Sequence, residues 1–336
     1  MQSGANRYDR QTRIAGWNQP ALTGARVLIA GAGALGNEII KNLALLGVGS
    51  LLIVDFDRVD VTNLSRSVLF RDGDVTRPKA EAAADAARRL NPELQVRHLS
   101  GDLLFDVGLS FYRHSTLVVG ALDSIVARSE VGTSCALTGR PFLDTGMWAL
   151  GGEVRWFLPG ETACFECTLT ADDRSRAELR RSCTGFRAED ARDGAERGVP
   201  ATVTTAAVVA GLAAREAANH LAGYAIRGGE ALVFNGLRES LHRSTLERDP
   251  SCTYHSPYRD VVNLDACAAT LRGNELLRRA RRDLGDSAVV ELGRDFLLAL
   301  HCPGCGAVEE VRALFGRVEA SRAQCPRCGS ARDPEL

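Results

Sequence analysis

Lysine is nearly absent from this chain: among 41 basic residues only Lys41 and Lys79 are not arginine. Such an excess of arginine is the coding habit of a GC-rich, bacterial genome, and it draws attention to Lys79 as a lysine kept against that habit. A surplus of charge of one sign is lacking as well. The formal net charge is −1, which gives no overall attraction to nucleic acid or to an anionic membrane. Long hydrophobic runs are missing too. Met1-Gln2-Ser3-Gly4-Ala5-Asn6-Arg7 carries no apolar signal-peptide core, and no later run approaches membrane-spanning length. The expected setting is the cytoplasm, with neither nucleic acid nor membrane as partner. Thiols stay reduced there, so the ten cysteines are not read as a disulfide framework. Internal repeats are absent apart from two cysteine knuckles near the end.

What is present is the composition of a globular protein, with 45% apolar and 25% charged residues over 336 positions. That length suits one large domain with a buried core plus a small appendage. Residues 26–30 form a continuous apolar run, as a parallel strand buried on both faces would. Helix-spaced apolar residues follow from 35 to 46 and stop at Gly47, and a second buried strand at 51–54 ends at Asp55. A helix is expected after Pro78, stopping at Asn91-Pro92. Further strands are expected at 95–99, 116–119 and 142–145, with a helix at 124–137. Strands alternating with helices imply an α/β, doubly wound sheet with its ligand at the strand carboxyl ends. After Gly151 the pattern changes, and 153–157 reads as a strand of a different kind of sheet. Residues 172–198 are dense in charge and read as a surface loop. A helix at 202–221 and a short strand at 231–234 follow. From about Arg259 the chain reads as a separate small module that opens with a basic helix at 276–282, taken as a solvated face.

The glycines of Gly31-x-Gly33-x-x-Gly36 lie between strand and helix, the context that gives this motif meaning. They allow a tight turn, and the helix amino end offers free N–H groups and a positive dipole to phosphate. Asp55 closes the next strand, with Asp57 just beyond, where a carboxylate can accept hydrogen bonds from ribose hydroxyls. A nicotinamide-binding protein fits equally well up to this point. Arg66 in Asn63-Leu64-Ser65-Arg66, and Lys79 at the start of a helix, add positive charge that a triphosphate needs and a dinucleotide does not. Asp123 follows the strand 117–120, where a carboxylate can hold magnesium against phosphate oxygens.

These stretches, with Arg10 in Arg7-Tyr8-Asp9-Arg10-Gln11 and Arg128 after Asp123, resemble the superfamily of ubiquitin-activating and sulfur-carrier adenylyltransferases, the ThiF–MoeB–HesA group. The match runs from about Arg7 to His255. The resemblance implies a Rossmann-like adenylation domain over 1–258, with a mixed sheet and a crossover loop at about 170–200. It implies that Gly31, Gly33 and Gly36 cradle ATP, that Asp55 binds ribose, that Asn63, Arg66 and Lys79 hold phosphates and that Asp123 binds magnesium. Arg128 matches an arginine of the pattern. Arg10 matches an arginine that reaches a partner's triphosphate, so a homodimer is expected. Ser67 and Ser124 depart from the usual glutamine and asparagine.

Cys164-Phe-Glu-Cys167 has zinc-knuckle spacing, and a closed structural site needs four ligands. Cys252-Thr-Tyr-His255 offers the other half at equal spacing. Cys302-Pro-Gly-Cys305 and Cys325-Pro-Arg-Cys328, with 19 residues between them, form a zinc-ribbon pattern. Residues 259–336 are therefore expected to be a small zinc-ribbon-like module, and two structural zinc sites per chain are expected. Cys135 and Cys267 read as small apolar residues. Cys183, in Arg180-Arg181-Ser182-Cys183-Thr184-Gly185, stands outside both quartets among arginines that favour thiolate. The family resemblance places a catalytic cysteine in this loop. The expected activity is ATP-dependent adenylation of a ubiquitin-like β-grasp protein, then thioester formation on Cys183 and transfer to a conjugating enzyme. The alternatives are a sulfur-carrier activator feeding a thiocarboxylate pathway, a peptide-modifying adenylyltransferase and a nicotinamide-binding Rossmann protein.

Overall fold

The computed structural model describes residues 6–174, 201–267 and 270–336. These fall into two compact units, one of residues up to 174 with 201–258, the other of 259–336. Cys183 lies outside the described residues.

The first unit is built on an eight-stranded sheet. Its strands are β1 (Arg26–Ala30), β2 (Ser50–Val54), β3 (Gln95–Leu99), β4 (Leu117–Gly120), β5 (Phe142–Trp148), β6 (Gly151–Phe157), β7 (Glu230–Asn235) and β8 (Ser240–Thr245). The order is β3-β2-β1-β4-β5-β6-β7-β8. The first five strands run parallel, and from β5 onward each neighbour pairs antiparallel. The segment expected to start a different sheet therefore continues the same one. A tight turn at Trp148–Gly151 reverses the chain, and β6 pairs with β5 along its whole length.

The helices are α1 (Gln19–Gly24), α2 (Ala34–Leu46), α3 (Lys79–Leu90), α4 (Leu109–Arg113), α5 (Ile125–Thr138) and α6 (Val203–Ala222). β1 after Arg26 and the whole of β4 are buried and carry no polar side chain, as parallel strands between helical layers must. One apolar cluster joins α2, α3 and α6 to the sheet through Ile39, Ile40, Leu43, Ala83, Ala87, Val209 and Ala213. A second, around Phe142, Phe157 and Phe165, fills the space under α5. Its three phenylalanine rings meet at centroid distances of 5.8 to 6.4 Å, one pair stacked, one tilted and one edge-on. No helix among the described residues is long and apolar enough to cross a membrane.

The second unit holds α7 (Gly273–Leu284) and a three-stranded antiparallel sheet, ordered β10-β9-β11, from β9 (Phe296–His301), β10 (Val308–Leu314) and β11 (Asp333–Glu335). Its apolar cluster is small: Leu297, Leu300, Phe315 and Val318.

Candidate functional site

β1 has β2 on one side and β4 on the other, with helices leaving β1 and β4 for opposite directions in the strand order. Such a switch point opens a crevice beyond the carboxyl ends of the strands. Three helices begin there. α2 starts at Gly33, α5 at Ser124 and α3 at Pro78, and none of the three is capped by a side chain. Their amino ends present N–H groups and positive dipole to whatever fills the crevice.

The glycine turn is made by close approach. Gly31 has φ of 97°, and a Cβ there would overlap the carbonyl oxygen of Ala121 after β4. A Cβ at Gly36 would overlap the Gly31 carbonyl. Gly33 differs, since a Cβ would meet no protein atom within 4 Å. Nothing in the protein forbids a side chain at Gly33, so the open space there suits a ligand. Asn37, fully buried, locks the turn: its Nδ2 donates to Ala32 O at 2.6 Å and Gly33 O at 3.1 Å, and its Oδ1 accepts from Leu69 N at 3.0 Å. The sequence reading passed over Asn37, although an amide one place after the last glycine was the available signal.

Asp55 closes β2 with its carboxylate accepting from Ala32 N at 2.7 Å and Asp57 N at 2.8 Å. Burial pushes its pKa above the ordinary carboxylate value, against those amides and the field of Lys79. Lys79 lies at the first turn of α3, its Nζ 2.7 Å from Asp57 Oδ2. Asp60 is held below its ordinary value first by the Thr62 hydroxyl and amide, with the fields of Lys79 and Arg66 adding. The crevice thus gathers the glycine turn, Asp55, Asp57, Lys79 and the Arg66 segment. Asp123 is exposed at the foot of α5.

Other expected site residues are engaged elsewhere. The Asn63 side-chain Oδ1 accepts from Asp60 N at 3.0 Å, a capping box that shapes the loop carrying Arg66. Arg66 itself donates to Thr62 O at 2.6 Å. Arg128 grips Asp144 through two bonds, of 3.0 and 2.6 Å. Arg155 holds the same carboxylate at 2.9 and 2.6 Å, and Glu153 lies 3.4 Å from Arg155. Burial pushes the Asp144 carboxyl up, but the two arginines outweigh it and keep its pKa below the ordinary value. This buried cluster was missed in the sequence, where Asp144 stood beside Thr145 in a short strand with no sign of its partners. Arg10 is exposed beside a segment whose Gln11 Nε2 bonds to Leu46 O, 2.8 Å away at the far end of α2. Thirteen residues of helix separate that end from Gly33, about 20 Å at helical rise. Arg10 cannot serve the crevice of its own chain.

Both quartets converge. Cys164, Cys167, Cys252 and His255 place their ligand atoms within 4.8 Å of one another, as do Cys302, Cys305, Cys325 and Cys328. The Sγ separations of 3.7 Å for Cys164–Cys167, 3.6 Å for Cys164–Cys252 and 3.7 Å for Cys305–Cys325 fit about 3.7 Å across a tetrahedron with zinc–sulfur bonds near 2.3 Å. Asp249 N donates to Cys167 Sγ at 3.4 Å, an outer contact typical of metal thiolates. In the second quartet, Gly306 (φ 70°) and Gly329 (φ 75°) make matching turns, each N–H bonded back to the first cysteine carbonyl at 2.9 and 2.8 Å. The amides of Arg327 and Cys328 hold the Cys325 thiol down at about 6. Thiolates at these distances are a donor set for a soft divalent ion.

A doubly wound sheet whose crevice combines helix amino ends, an acidic strand end and a lysine is suited to an anionic ligand. The chain belongs to the ThiF family, whose profile matches residues 8–254. It is 40% identical over 158 residues to the NEDD8-activating enzyme E1 catalytic subunit of Arabidopsis thaliana, covering 43% of this chain and 34% of that one. It is 38% identical over 183 residues to human ubiquitin-like modifier-activating enzyme 7, covering 49% of this chain and 17% of that one. The matched region thus spans about a third or less of the curated relatives. Among solved structures, E. coli MccB with ATP superposes at a TM-score of 0.60 with 21% identity over 74% of both chains. PaaA superposes at 0.56 with 20% identity over 71% of this chain and 72% of that one. These two likenesses show the shared fold.

Proposed function

We propose that the protein activates the carboxyl terminus of a ubiquitin-like β-grasp protein by adenylation. The observation that carries this reading is the charge layout of the crevice. Three uncapped helix starts and Lys79 face an acidic strand end at Asp55, an arrangement suited to a ribose joined to a polyphosphate. Similarity to NEDD8-activating subunits supports the choice of a protein carboxylate as acceptor.

In this reading Asp55 accepts from the ribose hydroxyls, with Asp57 orienting Lys79. The α2 amino end at Gly33 cradles the phosphates, and Lys79 and Arg66 offset charge that develops on them. Asp123 would hold magnesium, which would supply charge neutralisation at the phosphates. The terminal carboxylate attacks the α-phosphorus, an acyl–phosphate bond forms, the α–β bridge breaks and pyrophosphate leaves. The Cys183 thiolate then attacks the acyl carbon, giving a thioester and AMP, and the thioester passes to a conjugating enzyme. The two cysteine-rich quartets hold structural zinc. The domain limits proposed are 1–258 for adenylation and 259–336 for the zinc module.

Arg10 would act in the partner's crevice, since its own lies a helix length away. If so, mixing inactive Arg10→Ala with inactive Asp123→Ala restores about a quarter of wild-type activity, because half the dimers are mixed and each has one intact site. No recovery would remove the shared site. The central test is carrier-dependent exchange of label between pyrophosphate and ATP. Exchange is expected in wild type and in Cys183→Ala, with loss of about 100-fold or more in Lys79→Ala. The Cys183→Ala chain is expected to form no reducible adduct. Absence of exchange with every β-grasp protein encoded nearby would end the adenylation reading, and a thiocarboxylate product would redirect it to sulfur transfer.

A further inference from the structure

We infer that the first metal quartet is a positioning device for α5, acting through the two residues between its cysteines, Phe165 and Glu166, and through Gly132. The inference rests on the reading that Asp123 and the α5 amino end face a nucleotide. Its local part stands without that reading.

The contacts are one-sided and close. Phe165 and Glu166 are buried at 1% and 6% exposure. The Glu166 carboxylate accepts from the hydroxyl of Ser129, itself fully buried, and lies 3.3 Å from Thr133 Oγ1. A Cβ at Gly132 would overlap the Phe165 Cβ. Ser129, Gly132 and Thr133 are spaced by three and four residues and so share one face of α5. That face is shaped to the knuckle: a hydroxyl, a gap and a hydroxyl for a carboxylate and a ring. The Phe165 ring also lies 5.8 Å from Arg128 and 5.0 Å from Arg155, the pair that fixes Asp144.

The other half of the quartet grips the far end of the same helix. Past His255, Tyr258 N donates to Leu137 O at 2.8 Å. Tyr254 and His255 line one small cavity with Gly132, Cys135 and Ala136 of α5. The four ligands come from two segments 88 residues apart, with α5 lying against both. A metal joining the segments fixes the knuckle at one place along the helix. Without it, the two segments are no longer tied to each other, and their joint hold on α5 loosens. The amino end of α5, with Ser124 and Asp123, is the end that enters the crevice. Sub-ångström placement of such groups is what phosphate binding and transfer depend on.

The test separates position from chemistry. Gly132→Ala adds one methyl between α5 and Phe165 and touches neither a metal ligand nor an expected nucleotide contact. It is expected to keep two zincs per chain, speed amide exchange across 125–133 and raise the KM for magnesium-ATP about tenfold with kcat nearly unchanged. Glu166→Ala should do the same by removing the carboxylate that the Ser129 hydroxyl bonds to. Glu166→Gln, which keeps an acceptor oxygen for Ser129, should rescue to within about twofold. Should Gly132→Ala not fold, wild-type protein titrated with a chelator gives the second readout: exchange in 125–138 should rise as zinc leaves, while 26–54 stays protected. Unchanged exchange on zinc removal, or a zinc-loaded Gly132→Ala with wild-type exchange and KM, overturns the inference. Wild type that shows the exchange response but binds no magnesium-ATP refutes the nucleotide reading alone.

Discussion

Around the eight-stranded sheet, whole faces of three helices are buried: Ile39, Ile40 and Leu43 of α2, Ala83 and Ala87 of α3, and Val209 and Ala213 of α6. In residues 259–336 the corresponding cluster is Leu297, Leu300, Phe315 and Val318, and no residue of α7 is buried. Both units carry a quartet of side chains that could hold a metal, yet it stands in a different relation to each. In the first it sits at the margin of a core that aliphatic burial already stabilises. In the second, the four cysteines converge beside a sheet of only three strands with a small apolar cluster. A small module with so little apolar burial depends on a staple, and binding energy of a structural metal is then folding energy.

The sharpest way to break this comparison is to disable the cysteine quartet of the second unit. With Cys302→Ser, amides of β9 and β10 should exchange as in an unfolded chain, since structural zinc contributes on the order of 10 kcal/mol to such modules. β1, β2 and β4 should stay protected. A ribbon that keeps its protection without metal would show that its small core suffices. Next in size is the polar centre of the large unit. Asp144→Ala leaves Arg128 and Arg155, 13% and 11% exposed, without their shared carboxylate, and should cost about 3–5 kcal/mol in urea unfolding. A loss under about 1 kcal/mol would mean that Glu153 and water take over.

The smallest effect is a contrast in pH dependence between two carboxylates of one sheet. Asp144 has its pKa lowered on folding, so its contribution is present above the ordinary carboxylate range and fades as pH falls through the folded value. Asp55 is raised on folding by burial, so the folded state binds the proton more tightly. Its contribution is present below the ordinary range and is lost as pH rises through the raised value. Stability of the unliganded protein should therefore carry a downward slope with pH from Asp55 that vanishes in Asp55→Asn. An unchanged slope in that variant would show that the Ala32 and Asp57 amides keep the Asp55 pKa near its ordinary value.

The parallel half of the fold was legible because its signals are local. Continuous apolar runs mark β1 and β2, glycines mark the turn, and Pro78 and Asn91 bracket α3. β8 was not legible: it is an edge strand with mostly exposed residues, so no alternation survives in Ser-Leu-His-Arg-Ser-Thr. The ribbon strands were hidden for a similar reason, since attention falls on the cysteines and β10 breaks register between Glu310 and Ala313.

By itself the sequence determined the chemistry available at each strand end and the spacing within each cysteine pair, because those depend on neighbours along the chain. Only the tertiary structure decided which charges meet. It turned Arg128 toward Asp144, set Arg10 a helix length from its own crevice and brought Cys252 and His255 to Cys164 and Cys167. A buried charge takes whatever partner folding brings within reach, and that partner can come from anywhere in the chain.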